Sequence, residues 1–335
     1  MKAFQLFKYN PTDIRLQKVE IDRPHIRPNE VLIAVKAAGV NPLDNLITRG
    51  DVKLITPYRF PLTMGNECAG LITEVGAEVR GFSAGEMVFT RLPTNQIGAF
   101  AEYVAVPASA VARMPQGLDF VQAASIPLTA LTAYQALELM APKAGECIFI
   151  SGGSGGLGAM AIPLAKARGL VVYTNGNEKS RERVLALGAD RYLDYRQEDY
   201  LKTLPPVEYV LDSVGNKELS RQIQLLKEGG TIVSLRGLPN GRFAKRFGLP
   251  KWKQCLFSLA AFRLDREARA RKATYEFLFV ESNGRQLDEV SRLIEKQAIR
   301  PSIDKVFAFE QTNEALVKVA QGGSAGKVVL SFADE

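Results

Sequence analysis

Apolar and polar positions divide this chain into two textures. Through residues 1–120, short runs rich in Val and Ile, such as "VLIAVKAAGV" and "LITEVGAEV", are closely punctuated by Gly, Pro and Asn. That is the pattern of short strands joined by tight turns. Near residue 121 the pattern changes, and "VQAASIPLTALTAYQALELM" is a long Ala/Leu stretch with helical spacing. From Gly145 the runs alternate. "ECIFISG", "LVVYTNG", "ADRYLDY", "PVEYVLDSVG" and "TIVSLRG" read as strands, while "GGLGAMAIPLAKARG", "NEKSRERVLALG" and "NKELSRQIQLLKEGG" read as helices. Such alternation predicts a parallel sheet covered on both faces, with right-handed crossovers. The terminal "IDKVFAFEQTNEALVKVAQGGSAGKVVLSF" returns to strand, helix, strand. The expected architecture is α/β, with a doubly wound domain at 122–264 inserted into a β-rich domain made from 1–121 and 265–335.

Composition narrows the class. With 46% hydrophobic and 24% charged residues over 335 positions, the chain has the make-up of a globular protein with two cores. No apolar run approaches the ~18–20 residues of a membrane span, and "MKAFQLFKYNP" has no apolar signal-peptide core. Three widely spaced cysteines, Cys68, Cys147 and Cys255, offer no disulfide framework. A reducing, cytoplasmic setting is therefore expected.

The stretch "CIFISGGSGGLGAMAIPLAK" carries the first chemistry. Gly153, Gly155 and Gly158 form a G-x-G-x-x-G set directly after a strand and at the head of a helix. The first glycine allows the tight turn, the second lets backbone approach a pyrophosphate, and the third lets helix pack on strand. The Gly156 and Leu157 N–H groups would then face phosphate, aided by the helix dipole. At the end of the next strand, where NAD binders place an acid for the ribose 2′-OH, the sequence is "YTNGNEKSRER". Asn175 stands there, followed by Lys179, Arg181 and Arg183. Neutral amide and cations favour a 2′-phosphate, so NADP(H) is the expected cofactor.

These motifs resemble the medium-chain dehydrogenase/reductase superfamily, in its zinc-free quinone oxidoreductase (zeta-crystallin-like) branch. The likeness runs through "AAGVNPLDNLITRG", "GNECAGLITEVGAEVRGFSAGEMVF", "GAFAEYVAVP", "AASIPLTALTAYQAL", the glycine loop, "LGADRYLDYR", "LDSVG" and "GKVVL". It implies a Rossmann domain plus a GroES-like β-barrel catalytic domain, and a homodimer. Carried over by position, Asn41 and Thr132 would lie near the nicotinamide. Ser154, Gly155, Gly156 and Leu157 would hold the pyrophosphate, Asn175 and Lys179 would meet the 2′-phosphate, and Tyr195 would lie along the adenosine. Ser213, Val214, Leu235 and Gly237 would follow the fourth and fifth strands, with core packing an alternative account of Val214 and Leu235. Phe277, Leu278 and Phe279, with Lys327 and Val328, would flank the nicotinamide from the returning catalytic domain.

Zinc-dependent relatives hold a catalytic metal with a Cys, a His and a further Cys or acid. The matching positions here are Asn41, Asn66 and Leu128, and no metal is expected. "GNECAG" therefore puts Glu67 where it has no metal to serve and leaves Cys68 as a small buried residue. His25, the only histidine, sits in the surface-like "DRPHIRPNE". Without a Lewis acid, a quinone or an activated C=C is the expected hydride acceptor. Asn41, a backbone N–H or the nicotinamide ribose would meet the developing oxyanion, and the proton would come from water or, among side chains, from Tyr58.

The 43 basic and 36 acidic residues give +7, and the excess gathers at 242–272. Trp252, Cys255, Leu256 and Leu259 fall there at helical spacing. Two helices with outward charges account for that segment. The alternative is a non-catalytic NADPH-binding protein that recognises nucleic acid or another partner through it. Attachment to nucleic acid or a membrane surface is not expected, since Asp265 and Glu267 interrupt the basic run.

Overall fold

The computed structural model describes residues 1–332. The chain forms two compact units, Met1–Leu131 with Glu281–Glu335, and Thr132–Val280.

In Thr132–Val280, six strands pair in the order Arg191–Asp194, Val171–Gly176, Cys147–Ile150, Val207–Asp212, Leu226–Ser234 and Thr274–Phe277. All five pairings are parallel. Numbered along the chain this is 3-2-1-4-5-6, the order that reverses beside the first strand and leaves a crevice at the strands' carboxyl ends. The sheet explains why this unit runs to Val280 and not to 264. Thr274–Phe277 pairs with Leu226–Ser234 in register Thr231↔Thr274 to Ser234↔Phe277, so the last strand belongs here. Phe149, Val210, Ile232 and Tyr275 are buried along the sheet. The Phe149 and Tyr200 rings stack at 4.9 Å. Each such side chain contributes about 1.5–3 kcal/mol through burial.

Two expected helices are shorter than their periodicity. The stretch 121–140 divides into Phe120–Ala124 and Pro127–Met140, because Pro127 has no N–H to continue a helix and suits a new first turn. The first domain boundary falls at Leu131, inside the second of these helices, not at 121. "NKELSRQIQLLKEGG" is helical only over Asn216–Gln224. Leu226 already pairs with Val207, and Gly229, at φ 79°, turns the chain within that strand.

The other unit is built from both ends of the chain. A seven-stranded sheet runs Ile303–Ala308, Lys327–Ser331, Glu30–Val40, Glu67–Val75, Met87–Arg91 and Val111–Arg113, with Tyr103–Pro107 also on Glu30–Val40. Lys2–Leu6 anchors a three-stranded sheet with Gln17–Glu20 and Leu62–Thr63. Lys327–Ser331 lies antiparallel to Glu30–Val40, pairing Val328 with Val40. This brings Lys327 and Val328 to the end of that strand that holds Gly39 and Val40.

Candidate active site

The glycine loop has the geometry its spacing predicts. A Cβ on Gly153 would stand 2.0 Å from Thr174 Oγ1, and one on Gly158 would stand 2.2 Å from the Gly153 carbonyl. Both glycines are thus required by packing. Gly155 differs: a Cβ there would meet only Gly152 O, at 3.5 Å. The second glycine faces room and caps the helix Gly156–Ala167. Helix geometry leaves the first N–H groups after it without intrahelical acceptors. The residues present therefore fit a pyrophosphate at Ser154–Leu157.

Asn175 secures this loop. Its Oδ1 accepts from Gly152 N at 2.9 Å and its carbonyl from Gly153 N at 3.0 Å, so the loop is tied to the end of the second strand. Lys179 is exposed on the turn Glu178–Ser180. Glu178 is the acid of that segment, and it pairs with Arg181 at 2.7 Å. Arg183 donates to Ser154 O at 2.7 Å, so it braces the loop. Tyr195 is 55% exposed, and its N–H meets Gly176 O at 3.1 Å. Asn175, Lys179 and Tyr195 thus share one end of two neighbouring strands.

The residues after the fourth and fifth strands divide by role. Ser213 Oγ donates to Ser151 O at 2.7 Å, which places it under the glycine turn. Val214 is 43% exposed, so core packing does not account for it. Leu235 is half-buried. Gly237 is close-packed, since a Cβ would stand 2.3 Å from the Tyr275 hydroxyl. Phe277 and Leu278 are buried, and Phe277 meets Phe243 edge-on at 5.0 Å. Phe279 is half-buried, 5.9 Å from Phe247. These three belong to the nucleotide unit's own sheet and aromatic core, not to the returning catalytic segment as expected. Thr132 is buried on Pro127–Met140.

In the other unit a buried polar network surrounds Glu67. Its Oε1 accepts from Asn41 Nδ2 at 2.8 Å and pairs with Lys327 Nζ at 2.5 Å. Its Oε2 accepts from Leu128 N at 2.6 Å, at the head of Pro127–Met140. Lys327 Nζ also donates to Asn41 Oδ1 at 2.5 Å. Glu67 and Lys327 side chains are 0% and 6% exposed, so this ion pair is shielded inside the protein. Gly39 makes room, since a Cβ would stand 2.3 Å from Glu67 Oε1. Lys327 spends its ammonium on Glu67 and Asn41, and the Asn41 amide is held at both ends. Val328 is strand core.

Asp44 extends the network, accepting from Asn66 Nδ2 at 2.8 Å and Asn41 N at 2.7 Å. Burial pushes its carboxyl up to about 7, against those two donors and Lys327, with Glu67 adding to the rise. An acid raised in the folded protein stabilises the fold most below its unfolded value of about 4. That contribution is lost as pH climbs toward about 7, at about 1.4 kcal/mol per pH unit. Asp44→Asn is expected to flatten the fall in stability over this window, measured by urea unfolding. An unchanged slope would place the titration elsewhere.

Arg91 is not apparent from its sequence neighbourhood. It lies directly across the strand pair from Glu67 and is fully buried. It donates from Nη1 to Leu92 O, while Nε and Nη2 have no partner among the described residues. Burial lowers its pKa to about 10, opposed by Tyr58, Glu67, Glu281 and Asp44. Burial raises the Tyr58 phenol, and the charge of Arg91 acts against that rise. Tyr58 is half-buried. Cys68 is buried, its thiol pushed up by burial and by Glu67, and His25 is exposed.

Comparison with known proteins follows both units. A family model described as "Alcohol dehydrogenase GroES-like domain" matches residues 27–116, and one described as "Zinc-binding dehydrogenase" matches 187–330. The NAD(P)H oxidoreductase RTN4IP1, mitochondrial, of Danio rerio is 32% identical over 359 aligned positions, covering 100% of this chain and 92% of that protein. The chain belongs to the medium-chain dehydrogenase/reductase superfamily, in its quinone oxidoreductase-like branch. A 2-methylene-furan-3-one reductase of Solanum lycopersicum is 30% identical, covering 98% of this chain and 79% of its own. A quinone oxidoreductase from Coxiella burnetii superposes with TM-score 0.83 at 29% identity, covering 99% of each chain. The protein is an oxidoreductase of this superfamily.

The zinc in the second family description does not fit the donors present. Asn41 Oδ1 is already met by an ammonium at 2.5 Å, Asn66 points a donor at Asp44, and Leu128 offers no ligand atom. Lys327 supplies the positive charge of this cluster.

Proposed function

We propose that the protein is a zinc-independent, NADPH-dependent reductase of quinones or activated C=C bonds. The observation that carries this reading is the ammonium of Lys327, 2.5 Å from both Asn41 Oδ1 and Glu67 Oε1. With a cation already built into the cluster, substrates that accept hydride without a Lewis acid are favoured. The names of the relatives, an NAD(P)H oxidoreductase and an enone-type reductase, support the same class.

NADPH, when bound, supplies the hydride. Ser154–Leu157 would receive its pyrophosphate on backbone N–H groups, while Asn175 Nδ2 and Lys179 would receive the 2′-phosphate. Val214 and Tyr195 give apolar cover. Tyr58 would hold the proton that the reduced product takes up, its phenol biased by the Arg91 charge. The same reading carries a homodimer in the cytoplasm.

NADPH oxidation should be seen with 9,10-phenanthrenequinone or a short-chain enone, and should be absent with simple alcohols and ketones. Lys179→Ala is expected to raise KM for NADPH roughly tenfold, the scale of one charge-assisted hydrogen bond, and to leave NADH nearly unchanged. Equal use of both cofactors by the unaltered protein would overturn the 2′-phosphate assignment.

A further inference from the structure

Helix Lys251–Ala260 turns its core side and its apolar stripe in opposite directions. Phe257 is its buried residue, with Ala261 buried just beyond. Trp252, Cys255, Leu256 and Leu259, at helical spacing, occupy the other face. Trp252 is 61%, Leu256 41% and Leu259 76% exposed, and Phe262, opening the next helix, is 55% exposed. An apolar row this continuous on the outside of a chain marks an interaction site.

The charges around it that no ion pair takes up are of one sign. On helix Phe262–Ala270, Asp265 and Ala268 are buried, so the face carrying Phe262, Arg266 and Arg269 is outward. Both acids of the segment are spent. Asp265 takes Arg242 at 2.8 Å and Glu267 takes Arg263 at 2.7 Å. Lys251, Arg266 and Arg269 are exposed and make no ion pair among the described residues.

We propose that helices Lys251–Ala260 and Phe262–Ala270 form a docking surface for an anionic lipid bilayer. Trp252, Leu256, Leu259 and Phe262 enter the headgroup boundary, and Lys251, Arg266 and Arg269 meet lipid phosphates. The combination decides the occupant. A second copy of the chain, packed about a two-fold axis, would lay this patch against itself and bring one basic rim beside another. A nucleic acid would satisfy the cations but leave Leu256 and Leu259 facing phosphate. A bilayer surface matches both, because a basic face beside a Trp/Leu/Phe face is what an interfacial helix needs. Among the described residues no helix is long and apolar enough to cross a membrane, so the contact proposed is peripheral. Asp265 and Glu267 weigh against such attachment in the sequence, and the structure removes that objection by pairing both. The proposal does not depend on the substrate class.

Trp252 is the only tryptophan, so its emission reports this surface directly. Vesicles of phosphatidylcholine with phosphatidylglycerol should shift it to the blue, brominated lipid should quench it, and salt should weaken the effect. Leu259→Glu should lower the partition coefficient roughly tenfold or more, the cost of losing one buried apolar side chain, with circular dichroism unchanged. Joint Lys251→Glu and Arg266→Glu should abolish the preference for phosphatidylglycerol. Three results would overturn the proposal. These are no shift with either vesicle, an emission already blue that reddens on dilution (a second copy covering the patch), and a shift produced by an RNA oligonucleotide but not by vesicles.

Discussion

Replacing Lys327 with methionine is expected to destabilise the protein by about 3–5 kcal/mol, the usual consequence of removing one partner from a buried ion pair. Methionine matches the length of the lysine stem but leaves Glu67, whose side chain is 0% exposed, without its cation. The carboxylate would keep only Asn41 Nδ2 and Leu128 N. Glu67→Gln alone should also destabilise, because the Lys327 ammonium then faces an amide. The two changes together should cost less than their sum, since neither member of the pair is left as a charge without the other. Denaturant titration of the four proteins measures the coupling. A Lys327→Met protein as stable as the parent would show that Glu67 does not need the ammonium. The same substitution releases Asn41 Oδ1, so activity should fall even under conditions where the protein stays folded.

The second large effect separates two glycines that look alike in sequence. Gly155→Val should leave the fold intact, since φ −88° suits any residue and a Cβ there meets only Gly152 O at 3.5 Å. It should weaken NADPH binding at least roughly 100-fold, the scale of losing two charge-assisted hydrogen bonds, because the side chain fills the space the phosphates need. Gly158→Ala should instead unsettle the loop itself, its Cβ lying 2.2 Å from the Gly153 carbonyl. Calorimetric NADPH titration and thermal unfolding together tell the outcomes apart. If Gly155→Val bound NADPH normally, the pyrophosphate site would have to lie elsewhere.

The alternating strand and helix runs make the nucleotide unit readable, because each element there is local and the glycine spacing is set by one turn. What escapes is tertiary. Nothing near Lys327 in the chain hints that its ammonium ends against Glu67, because the contact depends on Lys327–Ser331 lying beside Glu30–Val40. Arg91 is invisible for the same reason. A lone arginine closing "MVFTR" reads as a strand end at the surface, and only the pairing with Glu67 turns it inward. Phe277 falls to the wrong unit in a sequence reading because "TYEF" gives no sign of which sheet it will join. The exposed row at Trp252 is legible as a helix face but not as an outward one. Which side a doubly apolar helix buries depends on Phe257 finding a core, a choice made outside the helix.

Lys327 also carries a consequence for how the molecule is made. The unit that holds Glu67 is assembled from both chain ends, whereas Thr132–Val280 is continuous. As the polypeptide leaves the ribosome, Glu67 emerges before the whole of Thr132–Val280, and its counter-ion only after it. The middle of the protein has every strand of its sheet before the beginning can close, so maturation runs from the inside of the sequence outward. A nascent chain truncated before residue 327 would carry a finished nucleotide fold beside an N-terminal half still waiting for its electrostatic keystone.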